Sequence, residues 1–154
     1  MDEYTRAWVL SNSKATRQHG VEQLKRLHEK YPNSWRPVLA LTQAWRTDQN
    51  TGGGIDYFRQ RIALNPDAPL SHFGLAVSLA DAQRHAEALE SAARCVQLKP
   101  DEPVCFSIWV SANIVKRGQG TSLSTAERLL PHLRDNPYAC TARVLHAVHA
   151  REMS

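Results

Sequence analysis

Apolar residues recur along this chain at intervals of three and four, in short runs broken at nearly even distances. The pattern is clearest between positions 69 and 102. Leu75, Val77 and Leu79 fall on one run, and Ala88, Leu89, Ala92, Val96 and Leu98 on a second. The second run is spaced as one face of an α-helix. The stretch Ala82-Gln83-Arg84-His85 between them reads as a short turn. A helical hairpin of this size cannot bury both of its apolar faces alone, so it needs a neighbour on each side.

The same unit repeats. Pro32, Pro66 and Pro100 lie 34 residues apart, within EKYPNS, ALNPDA and QLKPDE. Asn33, Asp67 and Asp101 follow them and are expected as N-caps, because their side-chain oxygens can accept from otherwise unpaired helical N–H groups. Pro69 and Pro103 then fall in a first helical turn, where a missing N–H costs nothing. Each proline therefore marks the end of one helix and the start of the next. A fixed period in this range predicts a stacked array of small units.

These residues resemble the tetratricopeptide repeat (TPR), a 34-residue helical hairpin with the template W-x2-L-G-x2-Y…A-x3-F…P. The second unit reads Val38, Leu41, Thr42 and Trp45, then Gly54, Phe58 and Pro66. The third reads His72, Leu75, Ala76 and Leu79, then Ala88, Ala92 and Pro100. The first is in phase but degenerate: Tyr4, Ala7 and Trp8, then Gly20, Leu24 and Pro32. Trp8 stands where the family has a small residue, so packing there must differ. The fourth begins Phe106, Trp109, Val110 and Asn113, and closes at Pro137 after a longer turn over Lys116–Ser122. Its second helix has a capping box at Ser124 and Glu127, and Pro131 should bend it.

The resemblance implies an all-α fold: a right-handed α-solenoid of about four TPR-like hairpins (1–34, 35–68, 69–102, 103–137) in a single domain. A terminal helix over 138–151, with Tyr138, Ala142, Leu145 and Val148 on its apolar side, would cap it or open a fifth repeat. In the family, the first helix of each hairpin lines a concave face. Carried over by repeat position, that groove comprises Arg36, Leu39, Gln43 and Arg46; Leu70, Phe73, Val77 and Asp81; and Val104, Ser107, Ser111 and Ile114. The first repeat adds Asp2, Thr5, Val9 and Asn12. Leu39, Leu70, Phe73, Val77, Val104 and Ile114 would form an exposed apolar patch, which marks a contact surface. Arg36 and Arg46 could hold an acidic side chain or simply be solvated.

The function implied is a non-catalytic protein–protein interaction module that takes a peptide or amphipathic helix in this groove. The alternative is a self-associating scaffold, or a regulatory module of a larger protein with the groove covered in cis. The family's chaperone-tail clamp needs two Lys, two Asn and one Arg. Its positions read Thr5, Val9, Ala40, Leu70 and Gly74, or Leu39, Gln43, Gly74, Val104 and Ile108 one repeat later, and neither set has the charges.

Composition narrows the rest. The chain has 154 residues, 42% hydrophobic and 22% charged, as soluble globular proteins do. No apolar run approaches the roughly 20 residues of a membrane span. The acidic start MDEYTRAWVLSNSK, without a long apolar stretch, is not expected to act as a secretory leader. Net charge is +4, and basic residues are scattered rather than striped by repeat, which argues against nucleic acid. Cys95, Cys105 and Cys140 are odd in number and lack metal-ligand spacing, so reduced, buried thiols in a cytoplasmic protein are expected rather than a disulfide framework. His146 and His149 share a helix face but lack supporting ligands, and His72 reads as a packing histidine. Gly52-Gly53-Gly54 lacks the Lys-Ser/Thr of a phosphate loop and reads as a hairpin turn, with Gly54 at a close approach. No enzyme signature, metal or cofactor is expected.

Overall fold

The computed structural model of the chain describes residues 1–117, with side chains described through Ala112. Within them lie seven α-helices and no strand: α1 (Glu3–Asn12), α2 (Arg17–Lys30), α3 (Trp35–Thr47), α4 (Thr51–Leu64), α5 (Pro69–Asp81), α6 (His85–Leu98) and α7 (Pro103–Arg117). Three hairpins, α1–α2, α3–α4 and α5–α6, follow in series, and α7 packs on the third. The substantial contacts all join helices one or two places apart in sequence. That is the contact pattern of an α-solenoid, in which each unit touches only its neighbours. The second helix of the fourth repeat, the terminal helix with His146 and His149, and Cys140 lie outside the described residues.

Two turns are repeated in register. Between hairpins, the N–H groups of Tyr31, Asn65 and Lys99 donate to the carbonyls of Leu27, Arg61 and Cys95 at 2.8, 2.9 and 3.0 Å. Those of Ser34, Ala68 and Glu102 donate to Tyr31, Asn65 and Lys99. Each of the three period-setting prolines sits inside this turn. Within hairpins, Gln49 and Gln83 adopt positive φ of 56° and 62°. Gln49 N–H donates to Arg46 and Asn50 N–H to Trp45, while Gln83 donates to Ala80 and Arg84 to Leu79. This is the paired C-terminal closure in which one left-handed residue lets two orphan carbonyls be satisfied.

The expected N-caps are displaced. The capping positions of α3 and α5 are Ser34 and Ala68, one residue beyond Asn33 and Asp67, and neither makes a side-chain cap. The turn closes through its own backbone, which leaves the Asp67 carboxylate to pair with Arg94 at 3.2 Å. The glycine triplet lies in the first turn of α4 rather than in a loop, with Gly53 N–H donating to Asn50 Oδ1 at 3.0 Å.

The core runs along the stack. Leu24, Val38, Leu41, Phe58, Ala76, Leu79, Ala92 and Phe106 are essentially inaccessible. Trp45, Tyr57 and Phe58 pack with ring centroids 5.1 to 5.9 Å apart. Close approach depends on small residues: a Cβ at Gly54 would fall 2.6 Å from Ser78 Oγ, and one at Gly74 would enter the Phe58 ring. Trp8, which could not fit such a seam, is 43% exposed, and Ser11 packs against Gly20 in its stead.

Cys95 and Cys105 are joined by a disulfide, their Cα atoms 5.3 Å apart and both side chains fully buried. This corrects the expectation of reduced thiols at these two positions. Stacking seats α6 against α7, and that seam brings the cysteines within bridging range. Disulfides persist in oxidising compartments, so the cytoplasmic placement expected from reduced thiols loses that support.

Candidate functional site

The first helices α1, α3, α5 and α7 lie side by side, each in contact with the next. Along this wall the groove positions divide into two groups. Arg36, Leu39, Gln43 and Arg46 on α3 are exposed, as are Asp2, Val9 and Asn12 on or beside α1, with Thr5 half-buried. Leu39 and Val9 are 36% and 47% exposed, which leaves two aliphatic side chains open to solvent on adjacent helices. On α7, Ser107 and Ser111 are exposed and Val104 is half-buried. The Ile114 side chain lies outside the described residues.

The middle of the wall differs from expectation. Leu70, Phe73 and Val77 are only 3%, 5% and 8% exposed. They belong to the core and do not line an open trough. Every residue of α5 from Leu70 to Leu79 is buried, and α3, α4, α6 and α7 all pack against it. The sequence carried this signal. PLSHFGLAVSLAD is apolar or small nearly all round, and a helix without a polar face is an enclosed one.

Arg46 also departs from its expected role. Its Nε donates to Asp81 Oδ2 at 3.0 Å, so the cation on α3 is already met by the end of α5. Arg36 lies 6.0 Å from the Trp35 ring centroid, and its charge helps hold the Asp2 carboxyl below the usual range, after the hydrogen bonds Asp2 accepts from Thr5. Of the two arginines, Arg36 remains the one available on the exposed wall.

Behind the wall, His28 and Tyr57 form a buried polar pair that sequence reasoning missed. Their ring centroids are 6.3 Å apart, and neither His28 Nδ1 nor the Tyr57 hydroxyl has a hydrogen-bond partner among the described residues. Burial, assisted by Arg61, lowers the His28 pKa to about 4, and burial raises that of Tyr57. His28 looks like a surface residue in the sequence, because only the neighbouring hairpin supplies the rings that enclose it. His72 is satisfied as a packing histidine is: its Nε2 lies 2.7 Å from the Pro66 carbonyl. Among the described residues no group of three His, Cys, Asp or Glu could hold a metal ion, and no helix is long and apolar enough to cross a membrane.

No family model matches the chain, and no curated protein matches it significantly. Among solved structures it is similar to the MamA D159K mutant, at 18% identity and a TM-score of 0.49, over 89% of this chain and 75% of that one.

Proposed function

We propose that the chain is a non-catalytic protein–protein interaction module whose contact wall is the exposed part of α1 and α3. The observation that carries this reading is the exposure of Leu39 and Val9 on two adjacent leading helices of a hairpin array. Apolar side chains left open beside Arg36 and Gln43 suit an extended peptide or an amphipathic helix with an acidic flank. Leu39 and Val9 supply the apolar anchors, and Arg36 selects charge.

Leu39→Glu tests it. The variant should lose capture of the partner recovered by co-purification with the wild-type chain, while its far-UV circular dichroism and melting temperature stay unchanged. Equal capture by wild type and variant would remove the assignment. Phe73 does not serve as a probe, since a carboxylate at a site 5% exposed would unfold the array before it informed on binding.

A second reading has less support. A self-associating scaffold, or a regulatory module of a larger protein with its groove covered in cis, would need an apolar patch open in the isolated chain. Leu70, Phe73 and Val77 do not supply it, because the chain's own helices already enclose them. A concentration-independent monomer in light scattering would count against self-association.

A further inference from the structure

The outer face of the first hairpin differs from its counterparts in the inner repeats. Each of α3, α5 and α7 has the second helix of the preceding hairpin packed on it: α2 on α3, α4 on α5 and α6 on α7. At the repeat position of Gly74, that neighbour's Phe58 ring fills the notch. The residue in register with Gly74 on α1 is Arg6, and it is exposed. Between α1 and α2 on this face lies a cleft of about 340 Å³ lined by Glu3, Arg6, Gln23, Arg26, Leu27 and Lys30.

The charges of the cleft are unbalanced. Lys30 meets Glu3 at 3.5 Å, but Arg6 and Arg26 have no ion-pair partner among the described residues. In the inner repeats, two cations on the second helices, one of them in register with Arg26, are met by carboxylates that precede their hairpin. Arg94, in register with Arg26, reaches Asp67 in the turn before its own hairpin at 3.2 Å. Arg61, one position further along α4, reaches Glu29 on α2 at 3.6 Å. The array thus shows once, at Glu29 and Arg61, a carboxylate on a preceding helix arriving opposite a guanidinium group, and once, at Asp67 and Arg94, one arriving from a turn.

We infer that the Arg6–Arg26 cleft is a docking site for an acidic amphipathic helix of a partner protein, laid where the second helix of a preceding hairpin would stack. Its carboxylates meet Arg6 and Arg26, and its apolar stripe covers the edge of Leu27. This surface is separate from the inner wall that carries Leu39.

The test uses the full chain and two labelled 18-residue helical peptides. Both carry Leu at i, i+3, i+4 and i+7; one has Glu on the flanks and the other Gln. Fluorescence anisotropy should show the Glu peptide binding at least about ten-fold tighter than the Gln peptide, and losing affinity as salt rises. Arg6→Gln/Arg26→Gln should remove that ten-fold preference, with Leu39→Glu leaving it intact. Equal binding of the two peptides, no binding of either, or an unchanged preference in the double variant overturns the inference. So does loss of the preference in Leu39→Glu alone, which would assign the acidic helix to the inner wall. Displacement of the peptide by a lower concentration of a 20-nucleotide oligothymidylate would give the face to nucleic acid instead.

Discussion

His28 is the residue whose chemistry burial has changed most plainly. It is 2% exposed, with the Tyr57 and Phe58 rings set edgewise at 6.3 and 6.2 Å. Burial is the main reason it stays neutral, and Arg61, paired with Glu29, adds a cationic one. A folded pKa of about 4 against an ordinary value of 6.5 means that the unfolded chain binds the proton first. Stability from this group is therefore complete above about pH 6.5 and is lost as pH falls toward 4. The full gap corresponds to about 3 kcal/mol. Urea midpoints should fall over this window, and His28→Leu should flatten the curve between pH 6.5 and 4.5, above most of the carboxylate titration; an unchanged slope would mean that other groups set it. Gly74 makes a steric prediction of the same kind. A methyl group there enters the buried Phe58 ring, so Gly74→Ala should cost about 1–3 kcal/mol, and Phe58→Leu should recover part of the loss in the double variant.

At the scale of elements, the turns decide how the helices are spaced. Gln49 and Gln83 hold φ of 56° and 62° without being glycine, a conformation that costs a side-chain-bearing residue roughly 1 kcal/mol. Both are exposed and in register. Gln49→Gly and Gln83→Gly should each raise stability by about 0.5 kcal/mol, measured by chemical denaturation, because the relieved strain exceeds the added freedom of the unfolded chain. Here the limits of the sequence are plain. The prolines announce where helices stop, since a ring at that position cannot continue one. The N-caps were misplaced by one residue because the turn satisfies its own N–H groups through backbone carbonyls, which no side-chain pattern reveals. The Cys95–Cys105 bridge was missed for a related reason: ten residues of separation say nothing until α6 and α7 are known to share a seam. Closing that short loop should contribute about 2–3 kcal/mol, so a reducing agent should lower the melting temperature, and Cys105→Ser should melt at the same point with or without it.

At the scale of the stack, the determining fact is that the substantial contacts among the described residues run between near neighbours. The period of 34 made that legible, because identical spacing forces each hairpin to meet the next in the same way. Which part of the wall stays open was not legible from groove positions carried over singly. Leu39 and Phe73 occupy the same repeat position, yet one is 36% exposed and the other 5%. The difference lies in α5 as a unit, apolar or small nearly all round, whereas α3 keeps a polar side with Arg36, Gln43 and Arg46. Stability in such an array is a sum of unit and interface terms, so it should not be uniform along the chain. Arg46–Asp81 and Arg59–Glu87 tie α3 and α4 to the third hairpin, but both are largely solvent-exposed pairs of small energetic weight. Buried apolar contact must then set the gradient. Native-state hydrogen exchange should find the amides of α5 the most protected and those of α1, whose substantial contacts among the described helices are with α2 and α3 alone, the least. Equal protection from α1 through α6 would mean that the hairpins melt as one cooperative body, and the neighbour-only account of this stack would have to be given up.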